Sequence, residues 1–92
     1  MAILPPGVRP YRSTPAFTEK TVPAGLTGRH ATKEGVWGAI TVRDGRLRLY
    51  RLDGTAPPET IMPGSPGIVA PEEPHRVEPD GPVSFHVVFH RF

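Results

Sequence analysis

Val36-Trp37-Gly38-Ala39-Ile40-Thr41-Val42-Arg43-Asp44-Gly45-Arg46-Leu47-Arg48-Leu49-Tyr50-Arg51-Leu52 is the stretch that decides the fold class. Its first half is rich in β-branched residues, its second half alternates apolar and charged residues, and Asp44-Gly45 separates the two. Asp-Gly between two such runs is a strong signal for a β-hairpin, because a two-residue type I′ turn needs positive φ at both positions. We therefore predict two antiparallel strands joined at Asp44-Gly45.

The glycine and proline content extends this prediction to the whole chain. The 92 residues include 13 Pro and 10 Gly, spread so evenly that the longest segments free of both are 46–53 and 83–92. Both residue types destabilise helix interiors, which leaves no room for an ordinary three-turn helix. We predict a single all-β domain over residues 1–92 with essentially no helix. There is no cysteine, so the domain needs apolar packing in place of disulfides.

Short apolar runs between turn signals give the remaining strands. The closing run alternates, so Val83, Phe85, Val87 and Phe89 should face the core. Pro79-Asp80-Gly81-Pro82 predicts a turn ahead of that run, and Val22-Pro23-Ala24-Gly25 predicts another. The other predicted strands are Thr18–Val22, Thr60–Met62, Ile68–Ala70 and His75–Glu78. Many short antiparallel strands in one domain are typical of a barrel or sandwich.

Charge and hydropathy argue against nucleic-acid and membrane partners. Eleven basic residues face nine acidic ones, and the arginine cluster at 43, 46, 48 and 51 has only Tyr50 as an interleaved aromatic residue, so we interpret it as a solvated strand face. No apolar run approaches the roughly 20 residues of a membrane helix, and no signal peptide is recognisable. We expect a cytoplasmic protein, and a homodimer that covers the apolar edge segment Tyr11–Phe17.

The second key stretch, 64–77, delivers a histidine to the start of a strand. Pro71 and Pro74 interrupt backbone pairing there, which places His75 at the mouth of the next strand. Neutral imidazole is the commonest metal ligand in proteins. The chain has three further histidines, His30, His86 and His90, so a histidine site is a testable hypothesis. A structural role for each histidine is the alternative.

Several motifs together resemble the TehB/YeaR-like domain family of small cupin-like proteins, which is named after tellurite-resistance proteins. The resemblance spans nearly the whole chain. It is carried by residues 30–33, 35–38, 42–47, 71–78 and 83–89, preceded by Leu4-Pro5-Pro6-Gly7 and residues 14–17 and 21–26. It implies a cupin-type jelly-roll barrel, a double-stranded β-helix. Some members are fused to a methyltransferase domain. This chain is too short for that domain and has no glycine-rich cofactor loop, so we do not expect methyl transfer.

The resemblance also implies a divalent metal, zinc foremost, bound by histidines with a carboxylate. His75 matches the ligand histidine of the second cupin motif, and His30 precedes the strand that resembles the first. The family's His-x-His pair and carboxylate are missing near 31–33 and at Gly38, so a full ligand set is absent. We predict His30, His75 and His86 as metal ligands, with His90 or Glu34 as alternatives for the third. His86 depends on the length of the turn at 79–82, which sets its strand face.

Two functions remain open from the sequence. The first is a metal-binding cupin that holds a small anionic or oxidisable compound and is related to proteins of tellurite and oxyanion stress. The second is a metal-free barrel that binds a small ligand or serves oligomerisation. The sequence does not decide whether either is an enzyme.

Overall fold

The structure is a computed structural model that describes residues 3–52, 54 and 56–92. It confirms a nearly all-β protein in which every strand pair is antiparallel, with one short helix. The sheet is not closed into a barrel, so the jelly-roll barrel is not confirmed. The elements are β1 (Arg9–Ser13), β2 (Phe17–Thr18), α1 (Ala24–Thr27), β3 (Trp37–Arg51), β4 (Glu59–Ile61), β5 (Gly67–Val69) and β6 (His75–Arg91).

The predicted hairpin at Asp44-Gly45 is wrong. β3 runs through both residues as one 15-residue strand and pairs along its length with the 17-residue β6, from Trp37 opposite His90 to Arg51 opposite His75. A type I′ turn needs positive φ at both central residues, but only Gly45 has it, at +81°. One left-handed glycine fits a bulge within a continuous strand equally well. The predicted turn at 79–82 is wrong for the same reason, since β6 continues through it.

Irregular pairing at the centre of β3 keeps the apolar residues of both of its halves on the core side. The register with β6 shifts between Val42 and Asp44 and again between Gly45 and Leu47. Before the shifts the buried positions include Ile40 and Val42, and after them Leu47 and Leu49, so the parity of the buried face changes. Without such a shift, the alternation of side chains would turn Leu47 and Leu49 to the other face of the sheet.

Short strands flank the central pair. The sheet order is β1-β6-β3-β4, with β2 also pairing with β6 and β5 also pairing with β3. The predicted strands around 60–62 and 68–70 are thereby confirmed within a residue at each end, whereas 18–22 contributes only Thr18 to β2. The strands share one apolar core, whose buried members are Ile40, Val42, Leu47, Leu49, Ile61, Val69, Val77, Val83, Phe85 and Val87. Val83, Phe85 and Val87 are buried as predicted, and Phe89 is half-buried against this core.

The one helix in the described part of the chain lies where the sequence predicted a turn. α1 comprises Ala24–Thr27, begins after Pro23 and ends at Gly28, whose N–H donates to the Ala24 carbonyl at 3.1 Å. Proline before the first turn and glycine after the last are usual helix boundaries. Leu26 packs against the core from this turn. Among the described residues no helix is long and apolar enough to cross a membrane.

Candidate functional site

His30 and His75 form the centre of the candidate site. His75 is the first residue of β6, and a two-way backbone bridge joins it to His30: the His75 N–H donates to the His30 carbonyl at 2.8 Å, and the His30 N–H donates back at 2.9 Å. The two imidazole rings meet edge to face, with centroids 5.5 Å apart. The Pro71–Pro74 corner ahead of β6 therefore does what the sequence indicated, since it starts a strand at a histidine.

The hydrogen bond of the His75 ring defines its tautomer. Nδ1 lies 2.8 Å from the Glu73 carbonyl oxygen, and a carbonyl can only accept, so Nδ1 carries the proton and donates. The other nitrogen, Nε2, then has a free lone pair. Burial lowers the pKa of His75 below its ordinary value; the hydrogen bond to the Glu73 carbonyl opposes this, and the charge of the nearby Arg51 guanidinium adds to it. His75 is thus a neutral hydrogen-bond acceptor at pH 7.

The two histidines line a small cavity beside the core. Its volume is about 40 Å³, enough for a few water-sized groups. Two threonines also line it, but their hydroxyls have partners: Thr14 Oγ1 accepts from the Val87 N–H at 3.0 Å, and the Thr32 hydroxyl donates to the Val36 carbonyl at 2.7 Å. The lining residues are Thr14, Leu26, His30, Thr32, Ile40, Val69, His75, Val77, Phe85, Val87 and Phe89. The imidazoles are therefore the polar groups left for a ligand.

Two wider depressions meet this cavity at His30 and Phe89. The larger, of about 430 Å³, also includes Leu26 and Thr14, and the smaller, of about 190 Å³, also includes Thr32. Arg12 lines both, and Lys33 lines the smaller one. No carboxylate lines the cavity or either depression among the described residues. The open side of the site is consequently basic.

The other proposed ligands lie away from this centre. His86 pairs with Thr41 across the sheet, on the face of β6 opposite the buried Phe85 and Val87. It lies on that face because β6 continues through 79–82, where the predicted turn would have set a different register. His90 lies near the end of β6 with Nδ1 3.3 Å from the Val88 carbonyl, and Glu34 is exposed. The structure brings together His30 and His75, but it does not bring His86 or its alternatives His90 and Glu34 to them.

Two residues of the site escaped the sequence interpretation. Arg51 was assigned to a solvated strand face, yet only 11% of its side chain is exposed, and it is ion-paired with Glu59 and Glu73. Arg46 and Arg48, by contrast, are largely exposed and pair with Asp80. Thr32 is buried in the cavity wall. The only sequence signal for Arg51 was its position on the strand opposite the Glu72-Glu73 corner, which requires knowledge of the β3–β6 register.

Comparison with known proteins places the chain among relatives of TehB. Two proteins described as probable S-adenosyl-L-methionine-dependent methyltransferase TehB, from two Haemophilus influenzae strains, are 36% and 35% identical to it over 72 residues. The match covers 74% of this chain and 25% of each relative. The chain thus spans about a quarter of the length of these curated relatives.

The expectation of a zinc or other divalent metal cofactor is wrong. No group of three or more His, Cys, Asp or Glu side chains that could hold a metal ion occurs within residues 3–52, 54 and 56–92. Structural metal sites usually need four such ligands and catalytic ones three. The cofactor in the names of the relatives is S-adenosyl-L-methionine, which also points away from zinc.

Solved structures and the family assignment agree with the sequence relatives. The crystal structure of TehB from Haemophilus influenzae superimposes with a TM-score of 0.84 at 28% identity, covering 91% of this chain and 31% of that one. A crystal structure from Escherichia coli K12 superimposes with a TM-score of 0.82 at 27% identity, covering 98% of this chain and 96% of that one. The family model described as TehB-like domain matches residues 12–87. The chain belongs to the TehB-like domain family.

Proposed function

We propose that this chain is a metal-free ligand-binding β domain. Its ligand is a small, mainly apolar molecule with one hydrogen-bond donor, held in the cavity between His30 and His75. The observation that carries the proposal is the tautomer of His75 set by the Glu73 carbonyl, which leaves Nε2 as a neutral acceptor in a mainly apolar cavity. Apolar pockets with a few placed polar groups are the usual form of small-molecule sites.

S-adenosyl-L-methionine does not fit this cavity. The nucleoside alone is far larger than a cavity of about 40 Å³. Among the described residues, no carboxylate of the kind that holds ribose hydroxyls in nucleotide sites lines the wider depressions. We therefore assign methyl transfer in the TehB relatives to the part of those proteins that this chain does not cover. In this proposal the chain binds a ligand and leaves the chemistry to another unit.

The hydroxyl preference of the cavity is tested with phenol and fluorobenzene, which share a shape but differ in the donor. Either ring is larger than a cavity of about 40 Å³, so each should place its substituent at His75 and its ring in the adjoining depression of about 190 Å³, which shares His30, Thr32 and Phe89 with the cavity. Amide chemical-shift titration of the wild type should give saturable shifts around 30–32 and 70–77, with phenol binding about fivefold tighter, the worth of one net hydrogen bond. His75→Leu should remove that preference, and the matched control His86→Leu should keep it. Equal binding of both probes, or shifts scattered over the surface, would overturn the proposal.

A second candidate function is oxyanion binding at the mouth of the site, which would link the chain to the tellurite and oxyanion stress that the family name implies. It is supported by Arg12 and Lys33, which line depressions where the described part of the chain places no carboxylate. In a tellurite titration, Lys33→Glu should weaken binding about threefold at low salt, the effect expected of one exposed ion pair, and the control Arg46→Glu should not. Identical isotherms for wild type and Lys33→Glu would refute this candidate.

Three broader expectations are kept here as proposals. The antiparallel sheet with His75 at the start of β6 supports a relationship to cupin-like barrels. β1 is exposed along its length at one end of the sheet order, which supports a homodimer through that edge and Tyr11. A cytoplasmic location suits a cysteine-free chain. Light scattering across a range of protein concentrations tests the dimer, because a constant monomer mass would exclude it.

A further inference from the structure

A second polar cluster lies next to His75 and takes no part in lining the cavity. Its centre is Arg51, the last residue of β3 and the cross-strand partner of His75. The guanidinium lies 2.8 Å from Glu73 Oε1 and 3.2 Å from Glu59 Oε1, and it donates to the Ile68 carbonyl at 2.8 Å. One side chain therefore ties β3 to β4, β5 and the corner before β6. Such a planar fork is what distinguishes arginine from lysine.

Glu73 connects Arg51 to the imidazole of His75, because its carboxylate bonds the guanidinium and its backbone carbonyl bonds the ring. The same Oε1 that pairs with Arg51 also accepts from the Ala70 N–H at 3.0 Å, and the Glu73 N–H donates to the Ala70 carbonyl at 3.2 Å. Both ends of Glu73 are thus fixed within the corner 70–74. The carbonyl that remains accepts from Nδ1 of His75 at 2.8 Å. The path from guanidinium to imidazole has one residue in between.

The corner contains a strained residue that its surroundings must hold in place. Glu72, between Pro71 and Glu73, has a φ of +60°, in the left-handed region that is unfavourable for residues with a Cβ atom. Backbone strain of this kind persists only where surrounding contacts impose it. The Glu72 N–H donates to the Thr32 carbonyl at 3.1 Å, and backbone bonds from Glu73 to Ala70 and from Leu52 to Pro74 hold the rest of the corner. The Arg51–Glu73 pair is the side-chain contact that adds to them.

We propose that Arg51 is a positioning residue that selects the tautomer of His75. Through Glu73 it aims a carbonyl at Nδ1, so that Nε2 stays an acceptor and the cavity prefers ligands with a donor. If the carbonyl turned away, the ring could carry its proton on Nε2 instead, and the preference would reverse to ligands with an acceptor. The ligand preference rests on the proposed function; the tautomer assignment does not.

The test uses the tautomer of the ligand-free protein. Long-range ¹H–¹⁵N spectra distinguish a protonated from an unprotonated ring nitrogen, and the wild type should show His75 with the proton on Nδ1. Arg51→Lys keeps the charge but replaces the planar fork, whose Nη1 bonds Glu73 and whose Nη2 bonds Glu59 and Ile68, with a single ammonium nitrogen. The hold on Glu73 should loosen, so the proton should redistribute to Nε2 in a measurable fraction of molecules. Arg48→Lys makes the same change on the exposed part of β3 and should leave the spectrum unchanged. Glu73→Gln, which keeps an acceptor oxygen, should shift the tautomer less than Arg51→Lys.

The outcomes separate this inference from the proposed function. A folded Arg51→Lys protein with an unchanged His75 tautomer would overturn the inference, regardless of how phenol and fluorobenzene bind. If Arg51→Lys does not fold, Glu73→Ala decides, because it removes the Oε1 that bonds Arg51 and the Ala70 N–H while keeping the backbone carbonyl; an unchanged His75 tautomer in that variant would overturn the inference. In the supporting case, the phenol preference of about fivefold falls toward equality in Arg51→Lys. A shifted tautomer with no phenol binding in the wild type supports the relay and refutes the ligand proposal.

Discussion

Replacing Gly67 by alanine should destabilise the protein, because the added Cβ atom would overlap buried side chains of the core. A Cβ atom at Gly67 of β5 would contact Ile61 Cδ1 most closely, with Ile61 Cγ1 at 3.0 Å and Leu49 Cδ2 at 3.2 Å. Ile61 and Leu49 have no exposed surface into which to move. Overpacking of this kind costs about 1–3 kcal/mol, while the smaller entropy of the unfolded alanine chain returns about 0.4–1 kcal/mol. We expect the free energy of unfolding to fall by about 1–2 kcal/mol.

Urea unfolding and thermal melting measure this change, and each kcal/mol should lower the Tm by about 4–8 °C in a domain of this size. Gly25→Ala is the matched control, since its Cβ would meet nothing within 4 Å in α1, and it should raise stability by about 0.5–1 kcal/mol. Ile61→Val removes the contacting Cδ1, so adding it to Gly67→Ala should cost less than the sum of the single changes. Additive stability losses in the double variant, or a Gly67→Ala protein as stable as the wild type, would refute the predicted overlap of the alanine Cβ with Ile61.

Three further predictions concern the site and its corner. Burial lowers the pKa of His75 below its ordinary value of 6.5, so at acidic pH the unfolded chain binds more protons, and the free energy of unfolding should fall as pH drops through about 6.5. Urea unfolding between pH 5 and 8 should show a weaker pH dependence of this free energy for His75→Gln than for the wild type. An equal pH dependence in both proteins would contradict the burial effect. Glu72→Asn should stabilise the protein by about 0.5–1 kcal/mol in urea unfolding, because asparagine tolerates the left-handed φ of +60° better; a loss of stability would mean that the exposed Glu72 side chain has a role of its own. His86→Ala should leave the phenol affinity unchanged in the amide chemical-shift titration, since His86 lies on the opposite face of β6 from the core. Weaker phenol binding would mean that His86 contributes to the site.

The course of the strands shows where sequence patterns stop being informative. Alternation correctly placed Val83, Phe85 and Val87 in the core, because strand periodicity is a local property. Asp44-Gly45 and Gly81 were interpreted as turns, yet both glycines have positive φ inside continuous strands, at +81° and +79°. A left-handed residue is required by a hairpin turn and by some bulges alike. The choice between them depends on whether β3 pairs with itself or with β6, which is a long-range property.

The same distinction separates the parts of the site that were predictable from those that were not. His75 could be located because proline acts on its own chain neighbours, and His30 because it was the nearest other histidine to the cupin-like strand. His86 could not, since its face depended on a turn that the structure replaces by a continuous strand. The burial and ion pairing of Arg51 could not be predicted for a related reason. Its partners Glu59 and Glu73 are 8 and 22 residues away in sequence and meet it only through the sheet register.

The position of His75 at the first residue of β6 explains how one side chain is both buried and available to a ligand. Its N–H and carbonyl are used by His30, and its Nδ1–H by Glu73, so three of its four polar groups are committed. Only Nε2 remains, and it is neutral because a buried imidazolium is penalised. The chemistry of the cavity therefore depends less on its apolar wall than on the 70–74 corner that fixes this ring. Since Arg51 and Glu73 contact that corner without lining the cavity, the ligand preference that we propose and the shape of the cavity would be set by different residues and could change separately.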